Sequence, residues 1–199
     1  MKKKVIAALF SVVVVSAGMT VAGEAAAGPV LPERITARLV DTQGAVSGRT
    51  ATQFTLQVDS LSSDEEVLEL ATVLKHGGQE ALRKALWNIE SKGFVRIGAA
   101  LGYQVAVIRY VETDQGRIIR VVTDRPIQFA EVWQSSRSRG YPFGYLEIFL
   151  GPDGTGEGQM IAAAEARFTA EGRVELVSLG TRPFKIMKAK AEPVKAKKK

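Results

Sequence analysis

Two glutamates in segments of alternating polar and apolar residues come closest, in this chain, to an acid–base pair. Glu147 and Glu165 both alternate with apolar side chains, as residues on one face of a strand do. Two carboxylates held close together can divide the roles of general acid and general base. The same glutamates, with Arg167 and Arg173 nearby, are also typical of ion pairs on a sheet surface. We therefore keep a carboxylate-dependent enzyme as a hypothesis and assign no catalytic residue.

Arginines beside aromatic side chains form a second candidate site. Arg139 stands just before Tyr141 and Phe143. Aromatic rings next to a guanidinium group can stack a planar or sugar-like ligand. The alternative is that these rings close the end of a sheet, because most large aromatic side chains are core material.

A charged corner, Asp124-Arg125-Pro126, is the third candidate. Arg125 could act as a fork for a carboxylate or a phosphate. Alternatively the corner is structural, with Asp124 accepting hydrogen bonds from turn amides. The ligand-binding residues predicted from the sequence are thus Arg125, Arg139, Tyr141, Phe143 and Glu147.

Several kinds of chemistry are excluded by what the chain lacks. It has no cysteine and a single histidine, His76, which excludes cysteine nucleophiles and zinc sites rich in His or Cys. No Gly-x-Ser-x-Gly nucleophile elbow is present. The glycine-rich residues 151–158 lack the lysine of a phosphate loop and the closing glutamate of a calcium loop, and they are typical of a hairpin turn. We predict no metal and no cofactor.

Charge is concentrated at the two ends of the chain. The 199 residues carry a formal net charge of +6. Residues 28–187, however, hold eighteen basic and nineteen acidic side chains and are close to neutral. A neutral body does not favour nucleic acid as a partner. The lysine-rich residues 188–199 are predicted to be a disordered tail, either solubilising or in weak electrostatic contact with an anionic surface.

The first 27 residues have the order of a bacterial export signal. Lys2, Lys3 and Lys4 precede an apolar run from Val5 to Val15, and small residues follow. The run is shorter than the about 20 apolar residues that a spanning helix needs, which favours a cleaved signal over a membrane anchor. Cleavage is expected after Ala27 or near Ala22-Gly23. We predict export to the periplasm or the extracellular space.

The period of the apolar residues changes along the chain. Residues 34–41 and 50–61 are predicted to form an opening antiparallel pair, because Phe54, Leu56 and Val58 alternate with polar residues. Sequential short strands separated by tight turns are predicted after Gly93, the last of them at 183–187.

Helical spacing replaces this alternation between residues 63 and 91. Ser63-Asp-Glu-Glu66 is a capping box that begins one helix, and Gly77-Gly78 separates it from a second helix that starts near Gln79. The chain is therefore predicted to form one α+β domain over residues 28–187. Its architecture would be an antiparallel, curved β-sheet or partly open barrel of about seven to nine strands with an inserted two-helix hairpin.

A set of short motifs resembles uncharacterised exported proteins of soil-type bacteria. The motifs are Ser63–Glu66, Thr123–Ile127, Tyr141–Phe143, Glu147 with Leu150, Gly154–Gly158 and Thr181–Pro183. The resemblance covers Arg34 to Met187 and implies an exported single domain. It implies no activity, cofactor or catalytic residue.

Three functional hypotheses follow from these patterns. The first is a non-enzymatic extracytoplasmic binding protein, in which a curved sheet and a helical lid enclose a small apolar or amphipathic ligand. The second is an envelope-associated module for protein–protein interaction. The third is the carboxylate-dependent enzyme. The sequence does not identify the ligand, the partner or the oligomeric state.

Overall fold

The computed structural model describes residues 30–41, 51–99, 101–127, 142–168, 174–178 and 183–194. The predicted signal peptide, residues 128–141 with Arg139 and Tyr141, and residues 195–199 lie outside this part of the chain. Within it, nine strands and one helical element form an antiparallel arrangement.

The strands arise where apolar and polar side chains alternate. In chain order they are β1 (Glu33–Val40), β2 (Ala51–Val58), β3 (Gly93–Ile97), β4 (Tyr103–Thr113), β5 (Gly116–Thr123), β6 (Phe143–Leu150), β7 (Thr155–Phe168), β8 (Val174–Ser178) and β9 (Phe184–Pro193). In β1, for example, Ile35, Ala37 and Leu39 are buried while Arg34 and Arg38 are exposed. The predicted opening pair β1–β2 is present, and the sequential strands after Gly93 form the antiparallel pairs β4–β5, β6–β7 and β7–β8.

Eight of the strands close into a barrel, and the ninth lies outside it. The order around the barrel is β6-β5-β4-β3-β2-β1-β9-β7, and pairing between β6 and β7 closes the ring. β8 pairs with β7 alone. The predicted antiparallel sheet is confirmed, and within the described residues it is a closed barrel. Closure removes the free edges that a curved open sheet would leave.

The 14-residue strand β7 belongs to both parts of the sheet. Its first half pairs with β9, from Thr155 to Met160, and completes the barrel. Its second half pairs with β8, from Ala164 to Phe168, and extends beyond the barrel wall. A register shift against β6 lies between these halves. β-Bulges of this kind bend a strand and let it leave a barrel.

The barrel interior is filled by side chains. Large residues from opposite walls have no accessible surface, among them Phe54, Ile108, Ile119, Leu146 and Met160. An eight-stranded barrel is just wide enough for such side chains to fill it. The predicted ligand space inside a curved sheet is therefore occupied by core residues instead.

The helical element α1 (Asp64–Asn88) begins at the predicted capping box. Ser63 Oγ accepts a hydrogen bond from the Glu66 amide at 3.2 Å, and the Ser63 amide donates to Glu66 Oε2 at 2.9 Å. The element is interrupted at Gly78, where φ 67° and ψ −165° are non-helical. Where the sequence predicts two helices, the structure thus has one element with a kink. No helix among the described residues combines the length and the hydropathy needed to cross a bilayer.

Residues 188–193 belong to a barrel strand, which corrects the predicted boundary at residue 187. β9 continues to Pro193 and pairs with β1 along this stretch, with Ala191 opposite Ile35. Ala189 is 1% exposed, whereas Lys188 and Lys190 point to solvent. Buried and exposed residues alternate in this segment, as in a half-buried strand. Its alanines and lysines, however, give it a low hydropathy, which is typical of a disordered tail.

Candidate functional site

An apolar cleft lies between α1 and the outer wall of the barrel. Its helical side consists of Val67, Leu70, Ala71, Leu74, Leu82 and Leu86. Its sheet side consists of Val107, Val122, Phe143, Ala166, Val174 and Leu176. The cleft has a volume of about 70 Å³, and its lining is wholly apolar. We call this space the α1 cleft.

The outer wall is apolar at the cleft because the outward-facing residues there are apolar and buried, whereas outward-facing residues further along the same strands are exposed. In β6 the inward residues Leu146, Ile148 and Leu150 are fully buried. The outward residues Phe143 and Tyr145 are also buried, under α1, whereas Phe149 further along is partly exposed. A strand that is apolar on both faces over part of its length must be covered there by another element.

Polar contacts fix the start of α1 to the barrel. Ser62 is buried, and its amide donates to the Ile108 carbonyl at 2.8 Å. Arg109 Nη1 donates to the Ser62 carbonyl at 3.0 Å, and the same guanidinium pairs with Asp64. Lys92 Nζ, just before β3, pairs with Glu66 Oε1 at 2.8 Å. These contacts define the base of α1.

A side-chain amide fixes the kinked part of α1 to β7. In the orientation that satisfies both groups, Gln79 donates to the Ala166 carbonyl at 3.1 Å and accepts from the Ala166 amide at 2.9 Å. Pairing between β6 and β7 ends at Phe143, which lies opposite Ala164. Gln79 therefore pairs with β7 backbone beyond the last β6 pair. Nearby, Lys75 Nζ lies 5.8 Å from the centre of the Phe168 ring.

The predicted ligand-binding residues lie at separate places. Phe143 is 1% exposed and forms part of the α1 cleft wall. Glu147 follows Phe143 by four residues on the same face of β6 and lies outside the cleft. Arg125 lies at the corner after β5, where its guanidinium is 5.6 Å from the Tyr103 ring. Arg139 and Tyr141 lie outside the described residues.

The corner at Arg125 is tied to the end of the barrel. Thr123 is fully buried, accepts from the Gly144 amide at 2.8 Å and donates to the Arg125 carbonyl at 2.5 Å. Asp124 Oδ1 is buried and, among the described residues, has no hydrogen-bond partner. Burial raises the pKa of the Asp124 carboxyl group, and the nearby Arg125 opposes that rise. The side-chain hydrogen bonds of this corner thus come from Thr123, and the structure does not show the predicted hydrogen bonds from turn amides to Asp124 Oδ1 within the described residues.

Glu147 and Glu165 are not brought together. Glu147 pairs with Gln159, and Glu165 lies six residues further along β7, about 20 Å at the rise of a strand. Ala164 faces the same side as Glu147, because it pairs with Phe143, so Glu165 faces the other side. Paired carboxylates in glycosidases are about 5 to 10 Å apart.

Each glutamate forms an ion pair instead. Arg120 Nε donates to Glu147 Oε2 at 3.0 Å, and the Tyr145 hydroxyl donates to the same oxygen at 3.0 Å. Arg167 makes two hydrogen bonds with Glu165. These are the sheet-surface ion pairs that the sequence offered as the alternative. Burial, followed by the charge of Glu147, raises the pKa of the Tyr145 hydroxyl.

A second concave surface lies beside Glu147 on the outside of the barrel. It has a volume of about 360 Å³ and combines Phe149 and Met187, both partly exposed, with Glu157 and Lys185. Its lining residues belong to β6, β7 and β9, with Ile118 of the neighbouring strand β5 at one side. We call it the β6–β9 groove.

A buried ionic cluster closes one end of the barrel, and sequence reasoning missed it. Glu33 is 6% exposed, pairs with Arg117, and accepts from the Tyr110 hydroxyl at 2.6 Å. The Arg117 guanidinium also lies 5.0 Å from the Tyr110 ring. Burial, followed by the hydrogen bond to Glu33, raises the pKa of Tyr110. The only sequence signal was Glu33 in phase with the inward residues Ile35 and Ala37.

Comparison with protein-family models, with curated proteins and with solved structures found no match. Among the described residues, no three His, Cys, Asp or Glu side chains are grouped so that they could hold a metal ion.

Proposed function

We propose that this chain is an exported, non-enzymatic binding protein that holds a small apolar or amphipathic ligand in the α1 cleft. One observation carries the proposal: a concave surface on the outside of a well-filled barrel is wholly apolar and only partly covered. Val67, Leu70 and Ala71 on its helical side are half-buried. A ligand that covers such a surface gains about 25 cal/mol for each Å² of apolar area removed from water.

The ligand requires α1 to move outward. The cleft of about 70 Å³ is smaller than the about 300 Å³ of common ligand sites, and about half the size of a cavity that accepts benzene. Only three of the 25 residues of α1 are buried: Leu74, Leu82 and Leu86. All three line the cleft, so a ligand in the cleft would cover the α1 residues that the movement uncovers.

We further propose that α1 is a two-armed hairpin. A straight helix would place Asn88 about 33 Å from Glu66. The four residues that follow could recover at most about 14 Å of this distance. The contact of 2.8 Å between Lys92 and Glu66 supports a fold-back at Gly78 instead. Residues 64–77 and 79–88 would then be the two arms, with the base at Lys92 and the tip at Gly78.

A module for protein–protein interaction is the second candidate. Leu68 and Trp87 on α1 are each 61% exposed, and Phe149 and Met187 are partly exposed in the β6–β9 groove. Exposed large apolar side chains often mark interaction surfaces. In the first function a ligand lies between α1 and the barrel. In the second function a partner protein binds the outer face of α1.

The binding proposal is tested with the fluorescent probe N-phenylnaphthylamine and the full chain. Ala71→Phe fills the cleft from the helical side, and we expect it to weaken probe binding at least about tenfold, the effect of losing 1.4 kcal/mol. Thr72→Phe is the matched control, because Thr72 is the exposed neighbour of Ala71. Equal binding by the two variants, or no binding by the unmodified chain, would contradict the proposal.

A further inference from the structure

We infer that α1 is a flap that is fixed at its base and latched at its tip, and that Gln79 is the latch controlling entry to the α1 cleft. This inference rests on the proposed function for what enters the cleft. The latch itself is a property of the protein alone. It follows from the unequal contacts at the two ends of α1.

The base of α1 is held by charged and buried groups. Asp64 forms an ion pair with Arg109, and Glu66 forms one with Lys92. The Lys92 side chain is 13% exposed. Ser62 adds a buried backbone hydrogen bond to β4. The Asp64 side chain is 83% exposed, so its ion pair adds little. The base is attached chiefly by backbone hydrogen bonds to β4, from the Ser62 amide to the Ile108 carbonyl and from the Lys92 amide to the Val105 carbonyl, each at 2.8 Å.

The polar contacts at the tip of α1 are made by side chains, whereas those of the base include buried backbone hydrogen bonds. Gly78 has φ 67° and ψ −165°, a region that essentially only glycine adopts, and a Cβ there would meet nothing within 4 Å. The next residue, Gln79, makes the two neutral hydrogen bonds to Ala166. Lys75 over Phe168 adds one cation–π contact at the surface. Loss of one neutral hydrogen bond changes an opening equilibrium about two- to tenfold.

The latch is placed where its release opens the cleft. Ala166 is both the partner of Gln79 and part of the cleft wall. Leu74 and Leu82, on the two sides of the tip, are the buried residues of α1 nearest to Gln79 in sequence. When Gln79 leaves Ala166, these leucines can move away from the sheet while the base stays attached. The backbone groups of Ala166 then become accessible to water, which limits the cost of opening.

The latch can be weakened without a large change in shape. Gln79→Glu keeps the length of the side chain but replaces the donor to the Ala166 carbonyl with a carboxylate oxygen. Gln79→Ala removes both hydrogen bonds. Gln53→Glu is the matched control, because Gln53 is an exposed residue of β2 on a different part of the barrel.

The experiment combines hydrogen exchange with the kinetics of N-phenylnaphthylamine binding. For Gln79→Glu we expect amide exchange around the tip, residues 72–82, to accelerate about two- to tenfold, the effect of one lost hydrogen bond. Gln79→Ala, which removes both hydrogen bonds, should accelerate it further. Exchange at Val67 and Lys92 should not change, and Gln53→Glu should behave as the unmodified chain. Probe association should accelerate by a similar factor.

The outcomes separate the latch from the binding proposal. Unchanged exchange at the tip, or equal acceleration at tip and base, would overturn the latch. If the probe does not bind the unmodified chain, the binding proposal fails, and the exchange measurement still decides the latch. If the probe binds and Ala71→Phe blocks it, but the Gln79 variants change neither exchange nor association, the latch fails and the binding proposal stands.

Discussion

Arg117 on β5 forms an ion pair with Glu33 on β1, a strand four places away in the eight-stranded ring and therefore on the opposite side of the barrel. The two residues are 84 positions apart in the chain. Their side chains are 18% and 8% exposed, so the pair lies largely inside the protein. It joins two walls of the barrel that share no hydrogen-bonded strand pairing, and Tyr110 adds a hydrogen bond from a third strand.

Removing one partner of this pair should be far more harmful than neutralising both. Arg117→Met leaves the Glu33 carboxylate buried and unpaired, and we expect a loss of about 3 kcal/mol in the free energy of unfolding. Glu33→Gln combined with Arg117→Met should recover much of this loss, because the amide oxygen can still accept from Tyr110. Urea denaturation of the two single variants and the double variant measures the coupling. Additive effects of the two substitutions would contradict the ion-pair account.

Two buried tyrosines should make the protein sensitive to alkali. The pKa of Tyr110 and that of Tyr145 are raised in the folded state, so the folded protein holds more protons than the unfolded chain above pH about 10. Their contribution to stability is present below this pH and is lost as the pH rises further. Absorbance titration, with Tyr110→Phe and Tyr145→Phe variants to assign the signals, should show that these two tyrosines ionise only on unfolding. Ionisation of either of them before unfolding would contradict this prediction.

Acid should weaken the base of α1. A hydrogen bond from Lys92, followed by one from the Ser63 amide, lowers the pKa of Glu66 below 4.5. The stabilisation is therefore present above pH about 4.5 and is lost as the pH falls through the folded-state pKa. Glu66→Gln should reduce the fall in stability between pH 6 and pH 3, as measured by urea midpoints. Glu69→Gln, an exposed change on the same helix, is the control, and an equal effect of both substitutions would refute the prediction.

The position of the chain end should decide whether the barrel closes. A chain that stops at Met187 lacks the part of β9 that pairs with Glu33 to Thr36, including the buried Ala189. We expect this variant to lose cooperative unfolding, as measured by circular dichroism. A chain that stops at Val194 keeps all of β9 and is the matched control. Native-like unfolding of the shorter variant would show that residues 188–193 are dispensable.

Local patterns predicted much of the sheet and little of its closure. The alternation at Phe54, Leu56 and Val58 and the turn at 113–116 are signals within a few residues, and the pairs β1–β2 and β4–β5 are confirmed. The capping box at Ser63 and Glu66 is confirmed for the same reason. By contrast, the place of β9 between β1 and β7 depends on contacts between distant parts of the chain, which no local pattern reports.

Local patterns also predicted only part of the candidate site, because they do not report which distant residues come into contact. Phe143 lies in the cleft wall, but Arg139 and Tyr141 lie outside the described residues, so the predicted arginine–aromatic site stays a prediction. Gln79 was not predicted, because a glutamine after two glycines has no pattern that identifies the backbone it will bind. Glu147 and Glu165 looked like a pair because alternation alone does not give the register, which places Gln159 rather than Glu165 opposite Glu147.

The most direct test of the central claim is to locate a bound ligand by nuclear Overhauser contacts in the full chain. With N-phenylnaphthylamine we expect contacts from the probe to the methyl groups of Leu74, Leu82 and Leu176, which line the α1 cleft. Methyl groups of Ile119 and Leu146, inside the barrel, are the internal control and should show none. Contacts to the barrel interior, or to Leu68 and Trp87 on the exposed part of α1, would contradict the account.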